Sequence, residues 1–319
     1  MTREQNVGDE WSAYWKGRAD LVTSRENEQR PGIETNSSLE GFWRSKLDAA
    51  DRGSNLLELA CGAGAVIQHA TALGFKHLTG LDVSAEALLL MQKKFPDAKA
   101  VCASASEAPF ERNEFDVIVS QFGFEYAGAE ACLPVIANIL APGGRFIAIT
   151  HYADGNITEE CQKALAACEA FEDTRFIPAA MRLFQAQHAA ELDPNPMTSK
   201  SLTEAANALA VHRDALAGLA ARGHQLAGHA LAGAQQLFER RNHYALSDIL
   251  GWLEKLEREN KAHAFRMKGM IAAALTEPQA EALLHGLSDL GFVPEPLKKF
   301  ENSDPDIPSA WILAAERPR

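Results

Sequence analysis

Short apolar runs punctuate the chain from residue 55 onward: Asn55–Ala60, His77–Leu81, Ala98–Ala103, Phe115–Ser120 and Arg145–Tyr152. Each has the length of one buried strand. Between them lie stretches whose apolar positions recur at helical spacing, near 64–74, 84–95 and 129–141. Strands alternating with helices at this interval predict an α/β domain, its sheet mostly parallel and covered by helices on both faces. Upstream, residues 1–50 are polar but carry Trp11, Tyr14, Trp15, Phe42 and Trp43. Helices are predicted there around 9–20 and 37–50.

After Tyr152 the alternation stops, and residues 153–275 read as helical almost throughout. Leu202, Leu209 and Leu216 share one helical face, as do Leu253, Leu256, Met267 and Ile271. Pro194 and Pro196 mark a loop. Glycines at 218, 223, 228 and 233 imply either close helix packing or breaks. The α/β character returns at Thr276-Glu277-Pro278-Gln279, a helix start with a Thr cap and a Gln three residues on. That helix runs to about Leu290 and stops at Gly291, and Phe292–Phe300 and Ala310–Glu316 read as two final strands. One α/β domain is therefore expected from 1–152 and 276–319, with 153–275 a helical insertion after the fifth strand.

Composition narrows the function. Hydrophobic residues make up 46% and charged residues 23%, as in a soluble globular protein. The 31 Lys+Arg against 43 Asp+Glu leave a net charge of −12. This disfavours nonspecific binding to nucleic acid or anionic lipid, which needs clustered positive charge. No stretch reaches the roughly 18 apolar residues of a membrane span. The N-terminus lacks a secretory pattern. Five widely spaced cysteines without a CxxC pair suggest neither a disulfide framework nor a zinc site. A cytoplasmic protein with reduced thiols and no metal is expected.

The sharpest chemical signal is Glu58-Leu59-Ala60-Cys61-Gly62-Ala63-Gly64, between a predicted strand and a predicted helix. Gly62 and Gly64 allow a tight turn and a close backbone approach to a ligand. A dinucleotide fingerprint needs a third glycine where Ile67 stands, so a nicotinamide or flavin site is disfavoured. Glu58 suits an amine-bearing ligand better than a pyrophosphate. Asp82 ends the second strand, where a carboxylate can accept two hydrogen bonds from a ribose diol. Ser84 would cap the following helix. Three further segments stand in order: Cys102–Phe110, Glu114–Tyr126 and Leu140-Ala141-Pro142-Gly143-Gly144.

Together these segments resemble the class I S-adenosylmethionine-dependent methyltransferases, particularly the small-molecule branch that includes the ubiquinone/menaquinone-biosynthesis type. The resemblance covers about 55–151. It implies a seven-stranded, doubly wound, Rossmann-like sheet, with S-adenosylmethionine as cofactor and S-adenosylhomocysteine as product. By the same resemblance, Glu58, Ala60, Gly62 and Gly64 form the loop at the cofactor's amino-acid end. Asp82 holds the ribose, and Val83 lies against the adenine. Ser104 and Ala105 replace the family's Asp-Ala at the adenine amino group, with serine contributing no charge. Gln121 belongs to the active-site end of the fourth strand. Many relatives fold an aromatic N-terminal helix over the cofactor, which makes Tyr14 and Arg18 candidates for its carboxylate.

Methyl transfer needs alignment, exclusion of water and, for some acceptors, proton removal. The ends of strands four and five supply the candidates His151, Tyr152, Glu125 and Tyr126; histidine as a residue type titrates near neutrality. A small organic acceptor is expected under a helical lid formed by 153–275. The same amphipathic stretch would also serve as a homodimer interface. The alternatives are a protein methyltransferase that grips its partner with the insertion, and a non-catalytic scaffold that keeps the fold.

Overall fold

Alternate residues along the central strands enter two different cores. Leu57 and Leu59, Phe146 and Ala148, and Trp311, Leu313 and Ala315 join one apolar cluster, while Leu56, Ile147, Ile149 and Ala314 join another. This is the two-residue period of a sheet buried on both faces. The computed structural model describes residues 11, 12, 15, 37–301 and 308–319. Its strands are β1 (Asn55–Leu59), β2 (His77–Asp82), β3 (Lys99–Cys102), β4 (Phe115–Gln121), β5 (Leu140–His151), β6 (Val293–Pro294), β7 (Lys298–Glu301) and β8 (Pro308–Glu316).

The sheet runs β3-β2-β1-β4-β5-β8-β6, with β7 also on β8. β1 to β5 are mutually parallel, and β8 is antiparallel to β5, from Arg145↔Glu316 to His151↔Ala310. The strand order reverses at β1/β4, the position where open α/β sheets bind ligands. The expected seven strands are eight. The predicted strand over 292–300 is two short ones, β6 and β7, both on β8 and separated by Glu295, Pro296 and Leu297.

One face of the sheet is covered by α1 (Ser37–Asp48), α2 (Ala65–Ala72) and α3 (Ala85–Lys94), through Trp43, Leu47, Val66, Ile67, Leu88 and Met91. The other is covered by α4 (Ala129–Ile139) and a helix at Glu277–Asp289, through Leu133, Ile136, Leu283 and Leu287. The latter begins as its sequence predicts, the Thr276 N–H donating to Gln279 Oε1 at 2.9 Å.

Between Tyr152 and Leu275 the chain forms α5 (Asn156–Asp173), α6 (Phe176–Leu192), α7 (Pro196–Ala221), α8 (Gln225–Glu239) and α9 (Leu246–Ala273), making Glu277–Asp289 α10. Tyr152 and Leu275 are joined by a bridge, so the long excursion leaves and rejoins at one point. The described residues within Met1–Glu160 and Gly269–Arg319 form one compact unit, and Cys161–Lys268 form the other. The second unit has its own core of Phe176, Phe184, Leu216, Ile249, Leu253 and Leu256. Both readings of its glycines occur. Gly223, at φ 90°, ends α7, whereas a Cβ on Gly233 would meet the Trp252 ring at 2.4 Å. Among the described residues no helix is long and apolar enough to cross a membrane.

Candidate active site

Four parallel strands end at one edge, and the turns that leave them make a cleft. After β1 the backbone becomes left-handed at Ala60 (φ 49°), Gly62 (φ 52°) and Gly64 (φ 85°). Glycine takes this conformation without a Cβ penalty, and at Gly62 it also makes room for an aromatic ring. A Cβ there would fall 2.6 Å from Cζ2 of Trp15. Gly64 caps α2, and a Cβ on it would meet Met91 and Phe95 at 3.0 Å. The Gly64 turn therefore faces α3, away from the cleft lining.

Glu58 fixes this loop from behind. Its Oε1 accepts the Val66 N–H and its Oε2 the Ile67 N–H, each at 2.9 Å. The carboxyl thus satisfies two orphan donors at the start of α2 rather than facing the cleft, which corrects its expected role as a direct contact to a ligand amine. Burial pushes its pKa up to about 8 against the pull of those two N–H groups, with nearby Asp82 adding to the rise. The native state therefore holds a proton that the unfolded chain releases near its ordinary value of 4.5. The stabilisation is full below that value and is lost as pH rises toward about 8. Wild type is expected to lose up to about 1.4 kcal/mol per pH unit across this window. Glu58→Gln should remove that slope. Denaturant unfolding of both proteins at several pH values checks it, and equal slopes would mean that Glu58 is already ionised in the fold.

Asp82 ends β2 with its carboxylate at the cleft. Oδ2 accepts the Gly62 N–H and Oδ1 the Ser84 N–H, both at 2.8 Å. Burial raises its pKa, opposed by the N–H groups of Ser84, Gly62 and Val83. Each oxygen keeps a lone pair for a further donor. The helix after it is capped as expected, Ala87 N–H donating to Ser84 Oγ at 3.1 Å. After β3, Ser104 caps the short turn Ala105–Glu107, and its Oγ lies 2.8 Å from Ser106 Oγ.

After β4 the chain turns through Phe122, a second left-handed non-glycine at φ 53°. Ser120 Oγ donates to Leu59 O at 2.9 Å and accepts the Phe124 N–H at 3.1 Å, tying this turn to β1. Gly123 is required by contact. A Cβ there would sit 2.8 Å from Ala60 O. Strained backbone at both strand ends, Ala60 and Phe122, thus borders one cavity.

That cleft is about 730 Å³ and is lined by Trp11, Trp15, Asp82, Ser104, Phe122, Tyr126 and their neighbours. Of the sequence-predicted residues, Ala60, Gly62, Asp82, Val83, Ser104, Ala105 and Tyr126 line it. Gln121 does not: its Oε1 accepts Trp43 Nε1–H at 2.6 Å, which fixes α1 instead. Tyr152 is also withdrawn, packed on Trp311 at 4.6 Å between ring centroids. His151 stands one layer behind the lining, its ring 4.7 Å from Phe122 and 5.7 Å from Tyr126. Tyr14 and Arg18 lie outside the described residues. Sequence reasoning read the N-terminal aromatics as a cover over the cofactor and placed Glu125 among the candidates after β4, but assigned no role to Phe122 or Gly123 in the lining. The aromatic–acidic run Phe122-Gly123-Phe124-Glu125-Tyr126 was the available signal.

Residues 57–148 match the family described as a methyltransferase domain. An uncharacterized methyltransferase of Schizosaccharomyces pombe is 27% identical over 159 residues, 49% of this chain and 63% of that protein. A demethylmenaquinone methyltransferase of Chlorobaculum tepidum is 25% identical over 114 residues, 33% of this chain and 47% of the relative. Each match spans less than two thirds of the relative's length. A solved S-adenosylmethionine dependent methyltransferase from Mesorhizobium loti is 14% identical, covering 88% of this chain and 98% of its own, with a TM-score of 0.46. Residues 57–148, which supply most of the cleft lining, are thus similar to methyltransferase domains.

Proposed function

We propose that the cleft binds S-adenosylmethionine and that the chain transfers its methyl group to a small organic acceptor. The carrying observation is Asp82, a cleft carboxylate fixed by two backbone N–H groups at the end of β2. The residues present fit the cofactor. Asp82 has lone pairs for the ribose hydroxyls, Val83 and Ala105 offer apolar walls, and Ser104 and Ser106 offer hydroxyls at the adenine end. Gly62 exposes backbone where the amino-acid end would lie. When bound, the sulfonium supplies an electrophilic methyl and takes the carbon–sulfur electron pair as that bond breaks. The chain's task is then to align the acceptor, exclude water and remove its proton.

The acceptor end is aromatic, formed by Phe122 and Tyr126, with Trp11 edge-on to Tyr126 at 5.3 Å. No Lys or Arg lines the cleft among the described residues, which favours an uncharged acceptor. The insertion departs at Tyr152 and returns at Leu275, at the end of β5, and this supports its reading as a substrate cap. A second reading, a grip on a protein partner or a second copy, is favoured by exposed Leu192, Met197 and Val211 in the helical unit.

Calorimetric titration of ligand-free protein with S-adenosylmethionine and S-adenosylhomocysteine tests the first reading. Micromolar one-to-one binding is expected, and no binding of either would overturn it. Labelling of a protein with no turnover of small molecules would instead establish the second.

A further inference from the structure

The end of the cleft beside β3 is uncharged, and its polar groups already satisfy one another. Ser104 and Ser106 line it from the turn after β3, both half-buried. Their hydroxyl oxygens lie 2.8 Å apart, and either can be the donor. Ser104 Oγ also accepts the Ser106 N–H at 3.4 Å. Whichever way the shared hydrogen points, the pair keeps one O–H to donate outward and lone pairs to accept. A carboxylate in the same place would only accept. Among the described lining residues Asp82 is the only carboxylate, and its oxygens hold the N–H groups of Gly62 and Ser84. Glu107, on the same turn as the serines, is exposed and outside the lining.

Position gives the pair its ligand group. β1, β2 and β3 are successive neighbours in the sheet, and Gly62, Asp82 and Ser104 stand at their ends in that order. A nucleoside sulfonium with its amino-acid end at Gly62 and its ribose at Asp82 therefore extends its base toward β3. We propose that the Ser104–Ser106 pair meets the 6-position of the purine without selecting for the amino group there. The chain then takes cofactors whose 6-substituent donates a hydrogen bond, accepts one or does neither. This rests on the cofactor reading above. Strong selection against an analogue comes from polar groups that it leaves buried and unpaired. Here each serine still has the other when the amine is removed. The amine's own hydrogen bond to a neutral hydroxyl adds about tenfold at most. Toward an acceptor oxygen the outward O–H turns to donate. Affinity thus comes from Asp82 and the Gly62 loop, and the serine pair sets the breadth of bases accepted.

Calorimetry with three ligands tests this: S-adenosylhomocysteine, and its analogues with hydrogen or methoxy in place of the 6-amino group. Both analogues leave the neighbouring ring nitrogen unprotonated, so only the 6-substituent differs. Wild type should bind all three with affinities within about tenfold of one another. Ser104→Asp should raise the preference for the amine over methoxy by at least about fivefold, because a carboxylate accepts the amine as a charged group and repels the oxygen. Should that variant not fold, Ser106→Asp carries the same test on the other member of the pair, and the wild-type ratios need no variant. A wild-type preference above about tenfold for S-adenosylhomocysteine over either analogue overturns the proposal. So does a smaller response to the aspartate, which would mean that the serines do not meet the 6-position. If S-adenosylhomocysteine itself does not bind, the cofactor reading fails and takes this proposal with it. If it binds and the analogues do not, only the breadth at the base is refuted.

Discussion

Asp82→Ala is expected to weaken S-adenosylhomocysteine binding by on the order of 100-fold or more. Two losses combine. The ribose hydroxyls lose a charged acceptor, and the cofactor loop loses the hydrogen bond that holds the Gly62 N–H at 2.8 Å. The Ser84 N–H is released as well. Hydrogen bonds to charged groups contribute about 1.5–3 kcal/mol each, so about 3 kcal/mol of binding is a conservative sum. Asp82→Asn keeps one acceptor oxygen but turns an amide NH2 toward one of these donors, and should fall between. Calorimetry on the three proteins measures the series. Equal affinities would mean that the ligand does not engage this strand end.

Trp311→Ala should give the largest loss of stability, about 3–5 kcal/mol, as for large aromatic truncations in a sealed core. Trp311 is 1% exposed. On β8 it lies between Thr150 of β5 and Lys299 of β7, packs on Tyr152, and donates Nε1–H to Leu275 O at 2.8 Å. One side chain thus ties the last strand to the point where the helical excursion departs and returns. Denaturant unfolding should show a lower midpoint with an unchanged slope for the sheet unit. Exposed Val293→Ala on neighbouring β6 is the contrast, expected within about 0.5 kcal/mol. A cost below about 1 kcal/mol for Trp311→Ala would mean that the site collapses around the gap.

The fold was legible because both of its periods are written in apolar residues. The alternation through β1 to β5 and the Thr276–Gln279 start of α10 need only local chemistry. The split of the penultimate strand was harder, since the run is strand-like throughout and its register on β8 is known only after folding. Within the site, residues with a local motif were readable: Gly62, Asp82 and Ser104 stand at strand ends on the cleft. Glu58 was read as facing ligand, yet its oxygens turn to Val66 and Ile67, whose N–H groups are exposed only once α2 exists. Gln121 was misplaced for a similar reason, since its partner Trp43 is remote in sequence. Glu125 stands in a legible aromatic–acidic run, but its pairing with His151, 26 residues on, exists only once β4 and β5 lie side by side.

The antiparallel pairing of β5 with β8 also has a consequence for synthesis. The polar edge of β5 is complete once residue 151 has emerged, but its partner, residues 308–316, is made only after the whole helical excursion. During that interval a long strand edge of unpaired N–H and C=O groups has no mate in the nascent chain, the condition under which strands pair with neighbours on other molecules. Helices α5–α9 rest on local contacts and form quickly, so they are expected to be structured while the sheet still waits. Ribosome-bound chains halted after residue 275 should therefore bind holdase chaperones, and chains extended through residue 319 should release them.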